Sequence, residues 1–241
     1  MRFVSGSTPE EQRIVKGWQG AVGAVQDNSV GMQTIVDTLC MLRANVFPVN
    51  VTMFNQPVIV AEDALPLAAK TNLAKFETSI SGSFSSDSKP CSILVSNGEV
   101  VCGYACHAWL GKPESVLFRY ENGTFGMKRV TYSTELPSCI SWAVGGCGLL
   151  DFYNPTAEGF TGKYADVLRK TNHTYIGVKK GYVYLGYCKN MWGHEVNAYV
   201  KKLGLDYAVL LDGGHVAAIN GADDKINTGV ATTQYYVIKG V

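Results

Sequence analysis

The 241-residue sequence predicts an α+β domain: a mixed, largely antiparallel β-sheet with packed helices. Three observations carry that expectation. Asn97-Gly98 and Asn122-Gly123 sit between alternating apolar residues, the strongest short hairpin signal a sequence offers. The chain holds 26 glycines and only 17% charged residues, which suits many turns, while 46% hydrophobic residues suffice for a sizeable core. Near the C-terminus, Val196, Tyr199, Val200 and Leu203 follow i, i+3, i+4, i+7 spacing, and the apolar run Tyr207–Leu211 comes straight after. The first pattern is one face of a helix and the second is a short buried strand.

From the start of the chain, Thr8-Pro9-Glu10-Glu11 reads as a helix start, with Thr8 as cap, Pro9 in the first turn and Glu11 closing a capping box. That helix would run through Ile14, Val15 and Trp18, weakened by Gly17, Gly20 and Gly23. A second helix is expected from about Val30 to Ala44, with Ile35, Leu39 and Leu42 on one face. Pro48 to Ala61 is strand-like and interrupted at Asn55-Gln56-Pro57, as in a hairpin. Residues 1–60 are thus read as a helical and hairpin extension, suited to an oligomerisation surface, and 61–241 as the main domain.

Within the main domain a helix is expected from Glu62 to Phe76, ending before a Ser81-Gly82-Ser83 loop. Residues 91 to 144 read as short strands, and 151 to 172 as a loop marked by Asn154-Pro155, Gly159 and Gly162. Connections of that length are often functional. His173 to Gly186 reads as a hairpin turning at Lys180-Gly181. The helix from Glu195 to Leu203 should end on Gly204 in the left-handed region. The strand Tyr207–Leu211 then delivers Asp212 onto a Gly213-Gly214 turn.

Composition narrows the function. A formal net charge of +1, with no block of Lys or Arg, leaves no electrostatic footprint for nucleic acid. The longest apolar runs fall short of the ~20 residues that cross a bilayer, so no membrane partner is expected. Met1-Arg2-Phe3-Val4 turns polar at once, unlike a secretory leader, and the expected location is cytoplasmic. The Asn-x-Ser/Thr triplets at Asn50, Asn122 and Asn172 are then chance matches. Seven cysteines include no CxxC pair; Cys102 and Cys106 are close, with His107 adjacent, but a metal there would need more ligands. Reduced, mostly buried thiols are the reading. No cofactor is predicted, and the pattern neither requires nor bars a divalent ion.

A carboxylate at a strand end on a glycine turn is a common place for chemistry, since the scaffold is rigid and the backbone can approach a ligand. It is also a common Asx-type turn in which the carboxylate caps its own backbone. The neighbouring segments favour chemistry. The order of hairpin, short helix, strand and Asp-Gly-Gly resembles the C-terminal half of the phosphodiester glycosidase family, one of whose members removes N-acetylglucosamine from its phosphodiester on mannose. His173-Thr174-Tyr175-Ile176-Gly177 corresponds to the family's Arg-Thr-Ala-Ile-Gly, and Leu211-Asp212-Gly213-Gly214-His215-Val216 to its Leu-Asp-Gly-Gly-Gly-Ser. Ser79 to Ser85 matches its Asn-Gly-Gly-Phe-Phe loop, Ile93 to Val101 its strand, Asn-Gly turn and strand, and Ala143 to Leu150 its Gly-Gly-x-x-Leu loop. The resemblance covers about residues 60 to 241. It departs from the family where His173 replaces Arg, Ser81 replaces Asn, Ser85 replaces the second Phe, and His215-Val216 replaces Gly-Ser.

The resemblance implies hydrolysis of a glycosidic bond in a sugar or ribosyl phosphodiester, with a small-molecule sugar phosphodiester or nucleotide-linked glycoside as substrate. Such a reaction needs a carboxylate at the anomeric carbon and donors around the phosphate. Asp212 is the candidate carboxylate, with His173 and His215 as catalytic partners. His173 would contact phosphate or act as an acid/base near neutral pH, and reads equally well as a hydrogen-bonded strand residue. The substrate-binding candidates are Ser81, Gly82, Ser83, Thr174, Gly145, Gly146, Gly213, Gly214 and Glu195. Gly213 and Gly214 could bring N–H groups to an anion, while Glu195 is equally explained as a helix cap. Arg169 and Lys170, just before His173, read first as solvated surface charge, and one of them could replace the absent Arg from a shifted position. His107 and His194 are read as structural or surface residues. Two other readings stand beside hydrolysis: a non-catalytic module binding a phosphorylated sugar or nucleotide, and an assembly protein that reuses the domain.

Overall fold

A computed structural model describes residues 51–53, 56–86, 89–161, 166–221, 225–226 and 235–241. The two helices expected within residues 1–50 lie outside the described residues. In chain order the strands begin with β1 (Val51–Met53), β2 (Gln56–Ala61), β3 (Ala64–Thr71), β4 (Ser79–Ser81), β5 (Ser85–Ser86) and β6 (Lys89–Pro90). They continue with β7 (Leu94–Ser96), β8 (Glu99–Cys102), β9 (Glu114–Tyr120), β10 (Phe125–Val130) and β11 (Ile140–Gly148). β12 (Thr171–Lys179) and β13 (Tyr182–Met191) precede helix α1 (Gly193–Leu203). β14 (Tyr207–Leu210), β15 (Ile219–Asn220), β16 (Lys225–Ile226) and β17 (Tyr235–Gly240) complete the order.

The strands form one ten-stranded sheet, β1-β2-β13-β12-β14-β11-β7-β8, with β9 also pairing β11 and carrying β10. A five-stranded sheet runs β16-β15-β4-β17-β3, and β5-β6 is a small separate ribbon. The strand pairs among the described residues are antiparallel. The strand Gln56–Ala61, read from sequence as part of the leading hairpin, pairs with β13 from Val183↔Ala61 to Gly186↔Val58 and so joins the large sheet.

Two features of the expected fold need correction. The helix expected over 62–76 is instead β3 followed by a short 3-10 turn, Leu73–Lys75. Its Ala, Leu and Lys content favours helix, yet pairing with β17 from Ala64↔Gly240 to Thr71↔Tyr235 overrides that weak preference. β3 is the edge of its sheet, where the missing N–H of Pro66 is tolerated. The expectation of packed helices is also too strong: α1 is the one α-helix among the described residues, and the other helical pieces are single 3-10 turns. Among the described residues, no helix is long and apolar enough to cross a membrane, which says nothing of a β-barrel.

The large sheet is covered on both faces, and strand alternation sorts its residues between them. Ile59, Ile176, Val209 and Leu211 face a core shared with Ile80, Ile219 and Ile238 of the small sheet. Their sequence neighbours Val58, Tyr175, Ala208 and Leu210 point the other way, onto Val196 and Val200 of α1. Burial on both faces is why Tyr207–Leu211 reads as an unbroken apolar run rather than an alternating one. Val196 and Val200 are both fully buried, and each contributes ~1.5–3 kcal/mol by leaving water. α1 ends on Gly204 at φ 66 with its N–H bonded to Lys201 O. Two hairpin turns carry positive φ at both central residues, Asn97 (50) with Gly98 (79) and Lys180 (51) with Gly181 (83), the geometry that matches strand twist.

Candidate functional site

Asp212 stands where the two sheets meet. The N–H of Leu211 donates to Thr174 O at 2.8 Å, and that of Asp212 donates to Gly82 O at 3.2 Å. The Thr174 hydroxyl donates to Asp212 O at 2.8 Å and reaches Ser81 O at 3.2 Å. One residue is thereby fixed by β12 of the large sheet and by the segment leaving β4 of the small one. The carboxylate takes the N–H of the next residue, Gly213, on Oδ1 at 3.0 Å, a bond to its own turn that falls one residue short of the Asx turn.

The Asp212 carboxylate lines a cleft of about 350 Å³. Phe84 and Phe160 form an aromatic wall, their ring centroids 5.4 Å apart. Cys91, Cys106 and His107 line another part, and Thr161, Asp166 and Val167 complete it with Ser85. Burial pushes the Asp212 acid up to about 6, against hydrogen bonds from the N–H groups of Gly213 and Ser85 and the charge of Lys70. A carboxyl tuned near neutrality and facing a cleft has the properties expected of a site residue.

The cleft wall is braced by two buried glutamates. Glu114 accepts from Ser92 Oγ at 2.8 Å, Ile93 N at 2.5 Å and Cys106 N at 3.1 Å. Burial, opposed by those bonds, raises its acid to about 8, with the Glu158 charge adding to the rise. Glu158 accepts from Ser115 Oγ at 2.5 Å, Arg129 Nε at 3.0 Å and Gly148 N at 3.0 Å, and burial still raises its acid. The carbonyl of Glu158 is 3.0 Å from His107 Nδ1, and the His107 ring meets Phe160 edge-on at 4.7 Å.

The residues singled out from sequence are distributed around this cleft rather than gathered in it; Asp212 alone among them lines it. His173 is fully buried, with Nε2 2.7 Å from Met191 O and 3.3 Å from Arg169 O. Nε2 therefore carries the proton, and burial lowers the ring's pKa, leaving it neutral; Nδ1 has no hydrogen-bond partner among the described residues. His215 is exposed in the 3-10 turn Gly214–Val216. Ser81 exchanges hydrogen bonds with the backbone of Ala218, at 3.0 Å from its N–H and 3.4 Å to its carbonyl. Gly82 donates to Tyr236 O at 2.7 Å, and the buried Ser83 hydroxyl has no partner among the described residues. Gly145 and Gly146 lie inside strand β11 rather than in a loop. A Cβ on Gly145 would overlap Glu114 Oε1, and one on Gly146 would overlap Leu210 O, so both serve close packing. Gly213 packs 3.5 Å from His173 Nδ1 by its Cβ position. Gly214 holds φ +67, and a Cβ there would stand 2.8 Å from Asp166 Oδ2. Glu195 accepts from Trp192 N at 2.8 Å at the start of α1.

Sequence reasoning missed Asp166, Cys91, Cys106 and His107 as cleft residues. The segment 151–172 had been marked as a functional type of loop, and Asp166 comes from it. Arg169 forms an ion pair with this Asp166 but does not itself line the cleft. Cys106-His107 was visible as a pair, but only folding brings Cys91 beside it. Among the described residues no group of three or more His, Cys, Asp or Glu is arranged to hold a metal ion.

Comparison with known proteins gives a fold likeness at low identity. No family model matches the chain, and no curated protein matches it. The chain is similar in structure to the catalytic domain of zebrafish N-acetylglucosamine-1-phosphodiester alpha-N-acetylglucosaminidase, auto-inhibited by its pro-peptide. The TM-score is 0.55 with 14% identity, covering 76% of this chain and 74% of that one. It is also similar to a hypothetical protein from Synechocystis, with TM-score 0.53 and 11% identity over 80% of this chain and 60% of that one. At these identities the likeness is one of fold.

Proposed function

We propose that this chain is a hydrolase that cleaves the glycosidic bond of a sugar or ribosyl phosphodiester, with Asp212 as the carboxylate at the anomeric carbon. The observation that carries the reading is Asp212: its main chain is held by bonds from both sheets, and its carboxylate lines a cleft with an acid raised to about 6. The fold likeness to a phosphodiester glycosidase domain supports it.

Departure of a phosphate from the anomeric carbon develops oxocarbenium character on the sugar, and the phosphate leaves with little need of a proton. Ionised Asp212 stabilises or attacks that centre, or activates water. The two N–H bonds it receives hold its orientation without removing its charge. Asp166, ion-paired with Arg169, is the second carboxylate of the cleft and is suited to contact sugar hydroxyls. The Phe84–Phe160 wall offers an apolar surface for a sugar ring or base.

A specific observation favours a second reading, a binding module without turnover. The family's Arg supplies a permanent, bidentate charge, whereas His173 here is neutral and engaged with two backbone carbonyls. The test is incubation of the full chain with a panel of sugar-1-phosphodiesters and nucleotide-linked glycosides, read by mass spectrometry, beside Asp212→Asn. Free sugar or ribose released by the wild type and not by Asp212→Asn supports the hydrolase. A thermal shift with one ligand and no product supports the binding module. No product and no shift with any ligand refutes both.

A further inference from the structure

The cleft contains a feature that glycoside hydrolysis does not use. Cys91 and Cys106 both line it, both are half-buried, and each thiol is the strongest influence on the other's acidity. We propose that Cys91 and Cys106 are a reversible dithiol–disulfide pair in the wall of the Asp212 cleft, oxidised by a low-molecular-mass disulfide of the glutathione type. The proposal is independent of the hydrolase reading.

The fold already holds the two cysteine segments together in one cleft wall. Cys91 donates its N–H to Phe84 O at 2.9 Å. Cys106 donates its N–H to Glu114 Oε2 at 3.1 Å, while the other oxygen of that carboxylate takes Ile93 N at 2.5 Å. A single buried carboxylate therefore clamps the segment after Cys91 to the residue Cys106 itself. The loop-closure cost of bringing two distant thiols together is met by folding before any oxidant arrives. The cleft gives a small reagent access to them. The other described thiols differ: Cys102, Cys147 and Cys188 are buried, and Cys139 is exposed away from the cleft lining.

The thiols are also unequal. The neighbouring Cys106 side chain lowers the Cys91 pKa; the Cys91 side chain together with burial raises that of Cys106. Because the thiolate is the nucleophile, Cys91 attacks first. Its Sγ bonds to one sulfur of glutathione disulfide, the reagent's S–S bond breaks, and one glutathione leaves as thiolate and takes up a proton. Cys106 then loses its proton and attacks Cys91 Sγ, and the second glutathione leaves. The protein loses two electrons and two protons, and one glutathione disulfide becomes two glutathione thiols.

The test is to incubate the folded full chain with oxidised glutathione, quench with an alkylating agent, and read intact mass and unreduced peptides by mass spectrometry. The expected product has lost two hydrogens, carries a Cys91–Cys106 cross-linked peptide, and reverts with dithiothreitol. Cys106→Ser should stop at one glutathione adduct on Cys91, and Cys139→Ser should leave the cross-link intact. Three results overturn the proposal: a wild type that keeps its glutathione adduct without a cross-link, a cross-link that forms only in urea, and alkylation of both thiols undiminished by the oxidant. None of these readouts requires turnover of a glycoside, so failure of the hydrolase reading leaves them unaffected.

Discussion

Gly145 is a position where one added methyl group should disrupt a buried hydrogen-bond cluster. A Cβ there would overlap Glu114 Oε1 and stand 2.6 Å from Ser92 Oγ. Strand β11 cannot yield, since Gly145 N is bonded to Ile93 O at 2.7 Å and Gly146 packs on Leu210 O. The Glu114 carboxylate must move, and Ile93 N–H, Cys106 N–H and the Ser92 hydroxyl then lose their acceptor. Each buried donor left without a partner costs ~1–3 kcal/mol. With some relief from entering water, Gly145→Ala should destabilise the fold by ~3–5 kcal/mol. The assay is urea unfolding of wild type, Gly145→Ala, Glu114→Ala and the double variant. Glu114→Ala strands the same three donors and should cost a similar amount. In the double variant the methyl group enters space the carboxylate has vacated, so the total should match Glu114→Ala alone, a coupling of ~3 kcal/mol. Costs that add to within ~0.5 kcal/mol, or a Gly145→Ala penalty under ~1 kcal/mol, would refute the account of Gly145 as the space that Glu114 occupies.

The Asp212 acid, raised by burial from 3.8 to about 6, binds its proton more tightly folded than unfolded. The stability it contributes should therefore be lost as pH rises from about 4 to about 6, by at most ~3 kcal/mol, while Glu114, raised to about 8, continues the fall toward pH 8; Asp212→Asn should remove its own part of the slope, between about 4 and 6, in pH-dependent urea melts. If Asp212 works ionised, hydrolysis should rise through pH ~6 and plateau above it, and a rate that falls over that range would exclude the ionised role. Val200→Ala, at a fully buried α1 position, should cost ~2 kcal/mol and lower the melting temperature. Gly181→Ala meets nothing within 4 Å, yet its φ of +83 should cost ~1 kcal/mol in the same measurement.

The C-terminal half was the most legible part of the chain. The hairpin turning at Lys180-Gly181, the helix ending on Gly204 and the strand before Asp212 are each set by signals within a few residues, and each formed as read. Asn97-Gly98 behaved likewise. The 62–76 segment was misread because its local preference is weak and its partner β17 lies far along the chain. The loop expected at Gly145 and Gly146 rests on the resemblance to a Gly-Gly-x-x-Leu loop, whereas here the glycines make room for a carboxylate and a neighbouring strand.

What the sequence determined by itself is the set of elements whose causes are local: turn geometry, helix caps and the periodicity of apolar residues. It also singled out Asp212 as a strand-end carboxylate on a glycine turn. Tertiary structure decided what surrounds that carboxylate. The Phe84–Phe160 wall, the approach of Cys91 to Cys106, Asp166 beside the glycine turn and the burial that raises Asp212 all join residues distant in sequence. It also turned His173 into a neutral buried ring on the Met191 carbonyl. Such contacts depend on which strands pair and which faces meet, and a residue's desolvation is a property of its neighbours in space, which no short window of sequence contains.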